Sequence, residues 1–192
     1  MFYLASQSPR RRALLESVGL NFEVIRVRVD EDLFEHESPK AAVERLAVDK
    51  AAEGSAVIER ENRPPHPVLA ADTIVVLEDR ILGKPGDAAE AMRTLEDLSG
   101  RTHRVLTSVA LQSGDDLRLR TSESRVTMKV LDRWEIERYW ATGEPRDKAG
   151  SYAIQGLGSG LVARLEGSYS GVVGLPMFET RELLATVGID WL

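Results

Sequence analysis

The stretch Val68-Leu69-Ala70-Ala71-Asp72-Thr73-Ile74-Val75-Val76-Leu77 is a nearly unbroken apolar run, broken only at Asp72 and Thr73. Such a run suits a strand covered on both faces, which belongs inside a sheet flanked by helices. The segments on either side supply the layers. Upstream, Phe2 to Ala5 is a short apolar strand that ends in Ser6-Gln7-Ser8-Pro9. Leu14, Leu15 and Val18 then recur at helical spacing over Arg10 to Val18, with Ser8 placed as N-cap, Pro9 at the first helical position and Gly19 just past the end. Phe22 to Val29 alternates as a second strand. Ser38-Pro39 opens a helix predicted to run to about Glu53, whose apolar stripe holds Val43, Leu46 and Ala47. Lys50, four residues beyond Leu46, falls on that same inward stripe. Glu61 to Pro67, with three prolines, reads as a loop.

Downstream, a turn near Asp79 leads to Ile81-Leu82-Gly83-Lys84-Pro85, and Asp87 with Glu90 predicts a capping box for a helix that Gly100 closes. His103 to Leu111 and Leu117 to Val130 read as strands joined through Ser113-Gly114-Asp115-Asp116. Asp132 and Glu135 predict a second capping box, for a helix through Trp140. A glycine-rich segment, Gly143 to Gly160, precedes a strand at Leu161 to Leu165, and a last helix is expected from about Pro176 to Val187. The order of elements is that of an α/β or α+β protein with a mixed sheet, expected to form one cooperative unit over residues 1–192.

Composition narrows the function classes. With no cysteine, disulfides, thiolate metal sites and cysteine nucleophiles are excluded, in keeping with a reducing cytoplasm. The net charge of -6 argues against broad binding to nucleic acid or anionic lipid, so a polyanionic ligand would need positive charge gathered locally. No apolar run approaches bilayer length. In Met1 to Arg12 the apolar stretch precedes the basic cluster, the reverse of a secretory signal, and the segment is expected to be folded structure.

Four places could carry chemistry. Ser6 to Arg11 puts Ser6, Ser8, Arg10 and Arg11 at a helix N-terminus, where free N–H groups and the helix dipole favour phosphate; a capped helix with solvated arginines fits the same string. Asp72 interrupts a strand fit for burial, and an ionised carboxylate there requires a cation, from Lys50, Lys84 or a divalent metal; a structural salt bridge or a solvent-facing strand end would serve as well. Glu31, within Asp30-Glu31-Asp32, becomes a second oxygen ligand for Mg²⁺ or Mn²⁺ only beside Asp72, and is otherwise a solvated loop residue. Gly143 to Gly158 mixes Asp147, Lys148 and Gln155 with glycines, and the Gln155 amide offers both donor and acceptor to a base. It matches neither the P-loop nor the dinucleotide fingerprint. His36, His66 and His103 have no ligand spacing, no serine-nucleophile elbow is present, and Trp134, Tyr139 and Trp140 read as helix core and surface aromatics.

ASQSPRR, Glu31, RLAVDKA with Lys50, AADT, LGKP, DKAGSYAIQGLG and GSYSGVVGLP, in this order from Leu4 to Pro176, resemble the Maf family. The resemblance implies a fold like that of the inosine triphosphate pyrophosphatases: an elongated mixed sheet with flanking helices, in two lobes, and the nucleotide in the cleft between them. It implies a pyrophosphatase using a divalent cation, with Asp72 matching the proton acceptor and Arg10, Thr73 and Gln155 matching positions associated with substrate choice. Arg11, Glu31, Lys50 and Lys84 match other cleft residues. DKAGSYAIQG, with Lys148 and Gln155, is similar to the branch acting on dTTP, UTP and related pyrimidines. A homodimer and a link to cell-division arrest also follow from the resemblance. Ser151 stands where Ala is common, and Ser170-Gly171 replaces bulkier residues; both bear on substrate preference. Two other readings use the same cations: a nucleotide-binding regulator of cell division without turnover, and a pyrophosphatase for 7-methyl-GTP or other modified purine triphosphates.

Overall fold

The computed structural model describes residues 1–192, arranged around one seven-stranded mixed sheet. The chain begins with strand β1 (Phe2–Ala5), helix α1 (Pro9–Ser17), strand β2 (Phe22–Ile25) and the long helix α2 (Pro39–Arg60). Next come β3 (Val68–Leu77), β4 (Arg80–Leu82), helix α3 (Ala88–Leu98), and the long strands β5 (Thr102–Ser113) and β6 (Asp116–Met128). Helix α4 (Arg133–Ala141) is followed by three 3-10 turns (Glu144–Asp147, Ala149–Ser151 and Gly156–Leu161), then β7 (Val162–Glu166), the short α5 (Tyr169–Val173) and α6 (Met177–Ala185). Strand order is β2-β1-β3-β5-β6-β7, with β4 also paired to β3.

The run that reads as a buried strand is β3, and its pairing creates the cleft. Along one edge it pairs with β5 over nearly its whole length. Along the other it pairs in parallel with β1 only through Val68 and Leu69, then with β4 only from Val75 onward. Between Leu69 and Val75 that edge has no neighbouring strand, and the chain leaving β1 turns away there into α1. Crevices of this kind, at the carboxyl end of a strand where neighbours diverge, are the usual ligand sites of open α/β sheets.

Side-chain alternation along β3 distributes residues to two covered faces. Leu69 and Ala71 join Phe2, Leu4, Leu15, Leu175 and Leu184 beneath α1 and α6. Val68 and Ala70 join Ala47, Ala51 and Ile58 of α2 on the opposite face. A third cluster, with Val75, Leu95, Val126, Ile136 and Tyr139, packs α3 and α4 against the far end of the sheet. Alternation therefore points Asp72 toward α2 and Thr73 toward α1.

Helix α2 outruns its expected end at Glu53 because Gly54 is a packing residue, not a stop. A Cβ there would lie 2.6 Å from Val68 and 3.2 Å from Ala5, so only glycine lets the helix lie this close to the sheet. Strand β2 stops at Ile25, short of Val29, because β1 offers four residues and the register ends at Ala5 opposite Ile25. Ser8 holds the N-cap position but its hydroxyl makes no capping bond; its own N–H donates to Ser6 Oγ at 3.2 Å. Asp87 accepts from Glu90 N–H, yet Glu90 reaches Gly86 N–H instead of closing the box. At Asp132 and Glu135 the reciprocal box is complete. Helix α5 and the turns at Ala149–Ser151 and Gly156–Leu161 lie in segments too rich in glycine and serine for a periodic signal, and the four-residue turn Glu144–Asp147 is too short for one. No helix is long and apolar enough to cross a membrane.

His103, on β5, is 2% exposed and shares a 2.7 Å hydrogen bond between Nε2 and the Tyr152 hydroxyl. Burial pushes its imidazole down to about 4 from an ordinary 6.5. Between these values the unfolded chain takes up a proton that the folded state refuses, so stability falls as pH drops through that window. The loss is bounded at about 3 kcal/mol. Urea midpoints near neutrality and at about pH 4.5 should therefore differ less in His103→Gln than in the parent; equal losses would assign the acid lability to other groups.

Candidate active site

The open edge of β3 forms the floor of a cavity of about 630 Å³, within the range that accommodates small-molecule ligands. Ser6, Ser8, Arg10, Arg11, Glu31, Lys50, Asp72, Thr73, Lys84, Lys148 and Gln155 all line it. They arrive from six separate stretches of chain, brought together because β1, β3 and β4 diverge at one point.

Asp72 is 8% exposed, and its Oδ1 accepts a 2.5 Å hydrogen bond from Lys50 Nζ. The lysine arrives there because residues 46, 47, 50, 51 and 54 share the inner face of α2. The same ammonium lies 2.6 Å from Glu31 Oε1, so one cation holds two carboxylates side by side. Lys84, on the exposed turn after β4, stands 3.8 Å from the other oxygen of Glu31. Burial raises the Glu31 carboxyl's pKa, but the Lys50 hydrogen bond and the charges of Lys50, Lys84 and Arg11 outweigh it, and the net shift is downward.

On the other face of β3, Thr73 Oγ1 accepts from Arg11 Nη2 at 3.1 Å and from the Thr107 hydroxyl at 3.0 Å. Arg11 also donates through Nε to the Gly174 carbonyl at 2.7 Å and through Nη1 to Ser6 Oγ at 3.3 Å. These bonds lock the guanidinium at the floor. Burial lowers its pKa, and Asp72 acts in the opposite sense. Arg10, one position earlier on α1, faces across the mouth toward Asp147 at 3.7 Å. Lys148 turns onto its own segment, pairing with Asp147 and donating to the Glu144 carbonyl at 3.2 Å. Gln155 is exposed on the opposite wall.

Several contributors received no role from sequence reasoning. The Gly174 carbonyl and Thr107 brace Arg11 and Thr73, and Asp147 answers Arg10. Gly174 and Asp147 lie inside motifs singled out above, but Thr107 sits in an ordinary strand. Gly150, at φ +70°, approaches β3 so closely that a Cβ would meet Val75 at 2.9 Å, and its N–H donates to the Gly83 carbonyl at 3.1 Å. That contact seats the wall bearing Lys148 and Gln155 against the strand bearing Asp72.

Because Asp72 is desolvated, removing its partner should be expensive. Lys50→Met is expected to cost about 3 kcal/mol, the lower end of the range for a broken buried pair because the cavity admits water. Asp72→Asn in the same chain should restore much of that loss, measured as the urea midpoint; a double variant as unstable as Lys50→Met alone would mean the lysine acts through packing.

Relatives of known name are similar over nearly the whole chain. A dTTP/UTP pyrophosphatase of Alkalilimnicola ehrlichii is 52% identical, covering 98% of this chain and 94% of that protein. The proteins of the same name from Aromatoleum aromaticum and Aliivibrio fischeri are each 49% identical, covering 97% and 95% of this chain and 95% of each relative. Among solved structures, the Ham1 protein of Staphylococcus aureus, 11% identical, covers 99% of this chain and 91% of its own with a TM-score of 0.48. The family model described as Maf-like protein matches residues 1–187, a span that contains every cavity residue named above, and the chain belongs to the Maf family.

Proposed function

We propose that this chain is a nucleoside triphosphate pyrophosphatase that hydrolyses dTTP and UTP to the monophosphate and pyrophosphate. The observation that carries the reading is the buried Asp72 carboxylate at the floor of a nucleotide-sized cavity, held by Lys50 and ringed by Arg10, Arg11 and Lys84. Relatives named dTTP/UTP pyrophosphatase, about half identical over nearly full length, support the choice of substrate.

The chain's own groups account for the reaction. Asp72 accepts the proton of a water aligned on the α-phosphorus. A bond forms from that water oxygen to phosphorus, the bond from phosphorus to the α–β bridging oxygen breaks, and pyrophosphate leaves with the electron pair. Arg10, Arg11 and Lys84 offset the charge on the phosphates, and preorganised electrostatics of this kind is usually the largest contribution. Lys50 keeps Asp72 and Glu31 adjacent despite their like charge. Ser6 and Ser8 offer hydroxyls at the start of α1, and Gln155 on the opposite wall faces the remainder of the nucleotide; Thr73 acts through the Arg11 guanidinium it holds, and Lys148 reaches substrate only on leaving Asp147.

Asp72 and Glu31 would hold a divalent cation of the Mg²⁺ or Mn²⁺ kind. The donor set is two carboxylates in a cavity without histidine or cysteine, suited to a hard ion. No third Asp, Glu, His or Cys groups with them. When bound, such an ion neutralises phosphate charge. The reading also carries a cytoplasmic location, a homodimer and no role for nucleic acid, the last in keeping with a net charge of -6.

Asp72→Asn should lower kcat for dTTP by about 10²–10⁴-fold, measured as pyrophosphate release with Mg²⁺ or Mn²⁺. A rate close to the parent's would remove the assigned role. Running the parent against a panel of triphosphates separates the alternatives: binding without any monophosphate would point to a regulator, and preference for 7-methyl-GTP to the purine branch.

A further inference from the structure

Gln155 stands in a segment built of isolated 3-10 turns, and its exposed side chain depends on the backbone for its position. Two side chains outside the set described above fix that backbone. Tyr139, buried on the inner face of α4, donates its hydroxyl to Glu144 Oε1 at 2.7 Å and accepts the Ala153 N–H at 3.0 Å. Glu144 accepts the Gly158 N–H on the same oxygen at 2.9 Å and the Leu157 N–H on Oε2 at 3.0 Å. The network grips residue 153 on one side of Gln155 and residues 157 and 158 on the other.

The fit is steric as well. A Cβ on Gly158 would lie 2.4 Å from both the Tyr139 hydroxyl and the Ala153 carbonyl, and one on Gly156, at φ +65°, would lie 2.5 Å from the Glu144 carboxylate. Burial raises the Glu144 carboxyl's pKa, but the Tyr139 hydroxyl, the two N–H groups and the Lys148 charge together outweigh this and the net shift is downward. Its hydrogen bonds are therefore charge-assisted, the stronger kind. Arg11, Lys50 and Asp72 take their positions from α1, α2 and β3 and share no hydrogen bond with either residue.

We infer that Tyr139 and Glu144 are positioning residues for nucleobase choice, holding residues 153 to 158 so that the Gln155 amide meets the base of a nucleoside triphosphate in one orientation. The inference rests on the function proposed above. An amide carries a donor at one end and an acceptor at the other, so it discriminates between bases only when its orientation is fixed. Removing the Tyr139 hydroxyl takes one donor from Glu144 and the acceptor from Ala153 N–H, which loosens both flanks of Gln155.

The test compares Tyr139→Phe and Glu144→Gln with the parent, in the full chain. It measures kcat and KM for dTTP, UTP, CTP and GTP and the inhibition constant of inorganic tripolyphosphate, which has the phosphates without a base. The dTTP-to-GTP ratio of kcat/KM should fall about tenfold, mainly through KM for dTTP, with tripolyphosphate inhibition unchanged. Hydrogen exchange over residues 153 to 158 should quicken in step. An unaltered ratio despite faster exchange overturns the inference, as does tripolyphosphate inhibition that weakens in proportion to dTTP binding. A parent that ignores the base, or cleaves no triphosphate, defeats the underlying reading and this one with it. Should Glu144→Gln fail to fold, Tyr139→Phe, which removes a single oxygen, decides the matter.

Discussion

An acidic side chain on the central strand of a covered sheet has to be met by positive charge, and the arrangement around the cleft follows from how Asp72 meets Lys50. Uncompensated, a desolvated carboxylate would cost several kcal/mol, a large share of the stability of an ordinary domain. The partner comes from α2, and its reach depends on how near that helix lies to the sheet. Gly54, one turn beyond Lys50, sets that distance by admitting Val68 and Ala5 where any side chain would stand. Glu31 joins from an irregular loop that follows β2, a loop that exists because β1 has no further residues with which to extend the pairing. The short β1 thus shapes the cleft twice, by leaving the edge of β3 open and by releasing the chain that carries Glu31.

The two walls of the cleft are built by different means. The cationic wall rests on regular structure: α1 presents Arg10 and Arg11, and the Arg11 guanidinium is spoken for by Thr73, Ser6 and the Gly174 carbonyl. The opposite wall has almost no repeating backbone hydrogen bonds and is held by side chains, above all Glu144, and by the close seating of Gly150 on Val75. Under the proposed function, this division matches the chemistry each wall would meet. Phosphates are alike in every nucleotide and call for fixed charge, whereas bases differ and call for a surface shaped by particular side chains.

Much of the fold was legible because it rests on periodicity and punctuation. The unbroken run of β3, the stripe of α2 and the capping pair at Asp132 and Glu135 each report a local constraint that sequence spacing preserves. Lys50 was readable as inward-facing for the same reason, and so was the need of Asp72 for a cation. What could not be read depends on distances between remote segments. Gly54 looks like a helix stop until Val68 is seen against it. Tyr139 falls on a helix stripe that fully explains its burial, so nothing local signals that its hydroxyl reaches Glu144 and Ala153. Thr107 is one polar residue in a long strand, and its role appears only when Thr73 lies opposite. Lys148 was legible as a cavity residue, but its pairing with Asp147 was not.

The adjacency of Asp72 and Thr73 on β3 has a consequence for how this protein can change over evolutionary time. Neighbouring positions on a strand project to opposite sides, so gaining or losing one residue between Leu69 and Asp72, with the upstream pairing held, would hand the carboxylate to Arg11 and the hydroxyl to Lys50, and would turn the following apolar side chains over with them. Point replacements in this segment leave that handedness intact. Length variation must therefore be absorbed elsewhere, and the proline-rich connection ahead of β3 can take it up without disturbing which side each group addresses.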